Sequence, residues 1–137
     1  MKIAVLGGGN GSHTIAADLT LKGYTVNMFE MEQFAENMKT VFDTQMIEIS
    51  GVAGSGKAKL NMVTSDIAKA IKNVEAIFIP LPGFVIEAYT RLLAPHLEDG
   101  QIVVMIPGTM SALEFLTGIR EHGCKRNVLV AETGGLP

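Results

Sequence analysis

The chain has 137 residues, a net charge of -3, and 47% hydrophobic against 18% charged residues. That is enough for one domain over 1–137 with a real core, and too acidic for a nucleic-acid-binding face. The single cysteine, Cys124, excludes an internal disulfide and lacks the companions a zinc site needs, which points to a reducing, cytoplasmic setting without a metal.

Lys2-Ile-Ala-Val-Leu6 reads as a buried strand that runs into Gly7-Gly-Gly-Asn-Gly-Ser12. It breaks too early for a signal peptide, and nothing in the chain approaches the roughly 18 apolar residues of a membrane span. Asn10–Lys22 carries Ile15, Ala16 and Leu19 at helical spacing and is stopped by Gly23. Tyr24–Glu30 reads as a second strand, and Met31–Phe42 as a helix with Phe34, Met38, Val41 and Phe42 on its apolar side.

The pattern then changes. Met46–Ser50 and Ala58–Val63 alternate around a Gly51–Gly56 loop, which predicts a β-hairpin inserted near residues 46–63. Asp66–Lys72 is a short helix, Glu75–Pro80 a buried strand, Gly83–Leu93 a helix stopped by Pro95, and Gln101–Ile106 another buried strand. Ser111 with Glu114 predicts a capping box, with Leu113, Phe115, Leu116 and Ile119 packing behind it and Gly123 ending the helix. Asn127–Glu132 is the last strand. Strands separated by helices of this length imply an α/β fold: a doubly wound, mostly parallel sheet covered on both faces.

The glycine turn is the most informative segment. Gly7 and Gly9 match the first two positions of G-x-G-x-x-G, and Ser12 stands at the third. Glycines there let the backbone turn and approach a pyrophosphate, while the helix N-terminus offers free N–H groups. Taken alone the cluster is a tight turn of any α/β protein; the strand before it and the helix after it favour a dinucleotide. Glu30 ends the second strand, where a carboxylate can take the hydroxyls of an adenosine ribose. Met31, Glu32 and Gln33 follow it, with no Arg or Lys. A 2′-phosphate would meet repulsion of order 1 kcal/mol, which favours NAD(H) over NADP(H). Pro80-Leu81-Pro82, Pro107-Gly108-Thr109 and Glu132-Thr133 fall at further strand ends, where ligands of open parallel sheets sit.

Gly51-Val-Ala-Gly-Ser-Gly56-Lys57-Ala58 nearly spells a P-loop. Ala58 replaces the Mg²⁺-binding hydroxyl, and a strand pattern follows where a helix is required, so the hairpin reading prevails. No catalytic residue emerges. His13 starts a helix beside the phosphates, His96 follows Pro95, His122 closes a helix, Cys124 has no base beside it, and Glu132 is a single carboxylate.

With Gly7–Ser12, Glu30, Leu81-Pro82, Leu92–Gln101, Pro107-Gly108 and Ala131–Pro137 in view, the sequence resembles the octopine/nopaline (opine) dehydrogenase family over the N-terminal half of that family. The glycine turn is also shared with ketopantoate reductase and glycerol-3-phosphate dehydrogenase. The resemblance implies a Rossmann domain and the reductive condensation of an amino acid with a 2-oxo acid, using NADH or NADPH. It implies that Gly7, Gly9, Asn10, Gly11 and Ser12 cradle the pyrophosphate, that Glu30 holds the ribose, and that Pro80, Leu81, Pro82 and Thr133 line the nicotinamide side. It places the family's catalytic histidine–carboxylate pair in a helical second domain that this sequence does not contain. A stand-alone NAD(H) sensor or interaction module, or the cofactor domain of a ketopantoate reductase-like enzyme, are the alternatives. Phe84, Tyr89 and Met110 are expected to be uncovered without that domain, favouring a homo-oligomer.

Overall fold

The structure, a computed structural model, describes residues 1–52 and 54–135. Ala53, in the expected hairpin loop, and residues 136 and 137, quoted for the resemblance, lie outside the described residues. In chain order the elements are β1 (Lys2–Leu6), α1 (Asn10–Leu21), β2 (Thr25–Phe29), a 3-10 helix (Glu32–Met38), α2 (Lys39–Thr44), β3 (Met46–Ile49), β4 (Gly56–Lys59), β5 (Met62–Thr64) and α3 (Ile67–Ile71). They continue with β6 (Ala76–Ile79), a short 3-10 turn (Gly83–Val85), α4 (Ile86–Leu93), β7 (Ile102–Met105), α5 (Ser111–Glu121) and β8 (Leu129–Glu132).

Six strands form one parallel sheet in the order β5-β2-β1-β6-β7-β8. Alternate residues of each strand feed two cores. Leu6, Phe29, Ile77, Ile79, Val103 and Met105 pack beneath α3, α4 and α5. Ile3, Val5, Val26 and Met28 pack beneath α1, Met38 and the β3–β4 hairpin. Both faces of β1 are therefore buried from Ile3 to Leu6, which is why that run is apolar throughout. Beyond α1 that second face thins out: Phe78 and Val104 are half-buried, and Ile102 and Leu129 are exposed.

Five local expectations are corrected. The segment 31–42 is not one α-helix: it winds as a 3-10 helix over Glu32–Met38 before α2 begins. The tighter period brings Met38 into the core and leaves Phe34 at the surface. The alternating run 58–63 is split. β3 and β4 form the antiparallel hairpin, pairing Met46 with Lys59, but β5 joins the main sheet beside β2. Asn61 causes the break: its N–H donates to Val26 O at 2.9 Å and its amide to Asn27 Oδ1 at 2.7 Å. Asn27 is itself fully buried and donates to Ala70 O at 2.8 Å, tying β2 to α3.

The capping box does not form. α5 begins at Ser111, whose buried hydroxyl has no partner among the described residues, after Met110 in a left-handed conformation at φ 66°. Glu132 instead accepts the Ala112 N–H at 3.1 Å. The inward positions are Ser111, Phe115, Gly118 and Ile119, so Leu113 and Leu116 face solvent. Tyr89 is also buried rather than uncovered, whereas Phe84 and Met110 are exposed as expected.

Acid should loosen the loops at the amino ends of β7 and β8. Asp99 accepts the Asn127 N–H at 2.7 Å and Arg126 Nη1 at 3.0 Å. Those two bonds, the backbone one first, hold its carboxyl below the ordinary 3.8. A carboxyl depressed in the folded state stabilises above its unfolded pKa and loses that contribution as pH falls through the folded one. Denaturant unfolding between about pH 5 and pH 2 should therefore show a stability fall that is shallower in Asp99→Asn. Parallel curves for the two proteins would remove Asp99 from the acid response.

Candidate functional site

The chain leaves β1 for β2 and β5 on one side and returns to β6 on the other, so the winding reverses between β1 and β6. All six strands are parallel, and their carboxyl ends share one edge of the sheet. The crevice at such a reversal is where open α/β sheets take ligands. The Gly7–Gly9 turn follows β1 and Pro80–Pro82 follows β6, so the two segments flank it.

The three glycines of the turn serve different ends. Gly7 has φ 92°, and its N–H donates to Phe29 O at 2.7 Å. A Cβ there would lie 2.4 Å from Leu81 Cδ2, so the first glycine makes the turn and seats it under the β6 loop. A Cβ on Gly8 would meet Met38 Sδ at 2.4 Å and Glu30 Oε2 at 2.7 Å. Gly9 is exposed with extended backbone, φ -76° and ψ 172°, and its Cβ would meet nothing within 4 Å. The fold thus demands glycine at 7, would have to shift the Met38 and Glu30 side chains for any side chain at 8, and sets no steric or conformational demand at 9.

α1 starts at Asn10, with Gly9 as its N-cap and no side-chain cap. Among the described residues the amides of Asn10, Gly11 and Ser12 donate to nothing in the chain; the next, His13, donates to Gly9 O at 3.0 Å. Those free donors and the positive end of the helix dipole face the mouth of the crevice. Ser12 is fully buried and gives its hydroxyl to Leu6 O at 3.0 Å. It therefore fills the packing role of the third glycine and leaves only its backbone N–H for a ligand.

Glu30 follows β2 directly and is buried at 8% exposure. Its Oε1 accepts the Met31 N–H at 2.7 Å and the Tyr89 hydroxyl at 3.1 Å, while Oε2 lies beside Gly8. Tyr89 and Met38, which complete this corner, carry no readable signal in the sequence: each sits in an ordinary amphipathic stretch, and only the fold brings it to the turn.

The other expected residues are more scattered. Pro80 is buried, Leu81 half-buried over Gly7, and Pro82 exposed. Thr133 stands past β8, three strands from β1, or about 14 Å at the usual strand spacing. It gives its hydroxyl to Gly135 O at 2.8 Å and lines, with Ile15, Leu19, Phe78 and Ile106, a cavity of about 480 Å³ between α1 and the sheet. None of Gly7–Ser12 or Glu30 lines that cavity, so it adjoins the turn without being the same place.

The groups capable of acid–base work are dispersed, and His13 alone of the histidines stands at the glycine turn. His13 Nδ1 is 3.0 Å from Gly9 O, His96 is exposed, and His122 Nε2 is 3.1 Å from Glu87 Oε1 on the α4–α5 surface. Cys124 is buried in the core. Glu132 reaches the crevice edge but spends Oε2 on α5 and packs against Gly108, where a Cβ would come within 2.1 Å of its own. Among the described residues no helix is long and apolar enough to cross a membrane.

Comparison with known proteins places this geometry in company. The family described as NAD-dependent glycerol-3-phosphate dehydrogenase N-terminus matches residues 2–132. The chain is 35% identical over 134 residues to an opine dehydrogenase of Arthrobacter sp. (strain 1C), covering 97% of this chain and 36% of that protein. Among solved structures it superposes on octopine dehydrogenase with NADH and pyruvate at a TM-score of 0.76 and 24% identity, over 95% of this chain and 34% of that one. A ketopantoate reductase from Ralstonia eutropha JMP134 shares the fold at a TM-score of 0.72 and 16% identity, over 96% and 40% of the two chains. The chain spans about a third of the length of the relatives it matches.

Proposed function

The chain belongs to the family of NAD-dependent glycerol-3-phosphate dehydrogenase N-termini, and from that premise we propose that it is the NAD(H)-binding Rossmann domain of an opine-type dehydrogenase. The observation that carries the reading is Gly9: a side chain there would enter open space, directly before three unpaired amides and beside the Glu30 corner. A pyrophosphate against that backbone gives the second glycine its reason. Gly7 shapes the turn, Gly9 admits the phosphates, and Asn10, Gly11 and Ser12 donate N–H groups. Glu30 accepts from the adenosine ribose through Oε2. Pro80, Leu81, Pro82 and Thr133 border the nicotinamide half.

Bound NADH supplies a hydride; the residues described here hold and orient it. The relative from Arthrobacter supports an opine-type reaction, in which an amino acid and a 2-oxo acid are joined and reduced. His13 sits at the glycine turn against Gly9 O, and His96 and His122 lie away from the crevice, so the role proposed for this chain is cofactor binding.

NADH is the preferred form. Glu30 presents a carboxylate oxygen at the ribose position, and the residues after it bring no cation to meet a 2′-phosphate. Calorimetric titration should show NADH binding tighter than NADPH. Glu30→Gln is the sharper variant. Tyr89 and Met31 both donate to Oε1, so the amide oxygen takes that place and the NH₂ replaces Oε2. Losing a charged acceptor should weaken NADH about tenfold, at about 1.5–3 kcal/mol per such bond, while NADPH gains. Equal affinities in the unmodified chain would defeat the ribose assignment.

A further inference from the structure

Glu30 is gripped from across the sheet. Tyr89 lies on α4, 59 residues away in sequence, and is 4% exposed. Its hydroxyl donates to Glu30 Oε1, and its ring meets Phe29 edge-on, with centroids 6.1 Å apart and planes at 90°. The Met31 N–H donates to the same oxygen. Oε1 therefore has both lone-pair directions engaged, whereas Oε2 has no partner among the described residues and rests against Gly8.

The terminal torsion of a glutamate is soft, and a carboxylate at a strand end ordinarily turns freely. Two donors on one oxygen remove that freedom. Burial, and then the neighbouring carboxylate, hold the Tyr89 phenol far above its ordinary value of 10.0, so it remains a proton donor throughout the working range. α4 and β2 are thereby joined at the point where the cofactor's sugar is read.

We propose that Tyr89 is a positioning residue for cofactor choice: it locks Glu30 so that Oε2 stays fixed at the glycine turn, able to accept from ribose hydroxyls and unable to swing away from a 2′-phosphate. This rests on the NAD(H) reading above. A carboxylate free to rotate would tolerate NADPH by withdrawing; a clamped one rejects it. Selectivity is then set by a helix that is remote from the ribose in sequence and does not itself touch the cofactor.

The test is a mutant cycle on the full chain, with NADH and NADPH dissociation constants measured by calorimetry for the unmodified protein, Tyr89→Phe, Glu30→Ala and the double variant. Phenylalanine keeps the ring against Phe29, and circular dichroism checks each fold. Tyr89→Phe should narrow the NADPH-to-NADH ratio at least about threefold, the scale of one neutral-to-charged hydrogen bond partly lost. In the Glu30→Ala background the same change should leave the ratio unaltered, because no carboxylate remains to be held. An unchanged ratio in Tyr89→Phe, or an equal shift in both backgrounds, would reduce Tyr89 to packing and overturn the proposal. A shift in Glu30→Ala without one in Tyr89→Phe would sink the clamp and leave the ribose assignment standing. Failure of the unmodified chain to bind either dinucleotide would remove the NAD(H) reading and the clamp with it.

Discussion

Gly9→Val should abolish measurable NADH binding while leaving the fold intact. The backbone at Gly9 is extended, at φ -76°, a conformation that a β-branched residue adopts without strain. Its Cβ would meet no atom of the chain within 4 Å. Valine therefore imposes no internal clash, and its branch projects into the place proposed for the pyrophosphate. Two or more charge-assisted bonds from the helix-start amides would be forfeited, at about 1.5–3 kcal/mol each, so affinity should fall at least about a hundredfold. Titration with NADH gives the loss, and an unaltered thermal midpoint separates it from misfolding. Binding retained within threefold would mean that the diphosphate does not lie on this turn.

The neighbouring glycines make the contrast. Gly7→Val would combine a left-handed φ of 92° with a side chain driven into Leu81, and Gly8→Val would collide with Met38 and Glu30. Both variants would confuse loss of fold with loss of ligand. Only position 9 separates the two.

This division explains what could be read from the sequence. The glycine turn, Glu30 and the alternation of strand and helix were legible because each depends on local chemistry: backbone freedom, strand-end placement and apolar periodicity. The six-stranded sheet follows from the same signals. What escaped depends on partners distant in the chain. Asn61 breaks the alternating run only because Val26 and Asn27 lie across from it. Ser111 and Glu114 satisfy the spacing of a capping box, yet Glu132 on β8 takes the helix-start N–H. Tyr89 reads as an apolar residue left uncovered, and its hydroxyl acquires meaning only once β2 delivers Glu30 beside it. The segment 32–38 fails for another reason: Phe34 and Met38, four apart, share a face only in an α-helix, and 3-10 winding separates them.

Gln101 marks a position where stability and ligand binding should separate in the opposite sense to Gly9. In the sequence it opens a strand and closes the Leu92–Gln101 segment, with nothing to mark it as a core residue, yet it is 2% exposed. Its amide donates to Ile71 O at 2.8 Å and Val74 O at 3.2 Å, and its oxygen accepts the Glu98 N–H at 2.8 Å. One side chain thus satisfies the carbonyls at the end of α3 and the loop that enters β7. It does so at the amino ends of the strands, the edge opposite the glycine turn. Gln101→Ala takes the side-chain partner from Val74 O and the Glu98 N–H, leaves Ile71 O with the Val74 N–H alone, and opens a small void, so the cost should be about 3 kcal/mol. For a chain of this size that is a fall of about 10 °C in thermal midpoint. Denaturant unfolding gives the free energy, and NADH titration below the transition should return the unmodified affinity within twofold. A loss under 1 kcal/mol would mean that water reaches Ile71 and Glu98 as readily as the glutamine does. A large loss of NADH affinity in the still-folded variant would mean that the two edges of the sheet are coupled, and that the crevice cannot be treated as a site carried on an independent scaffold.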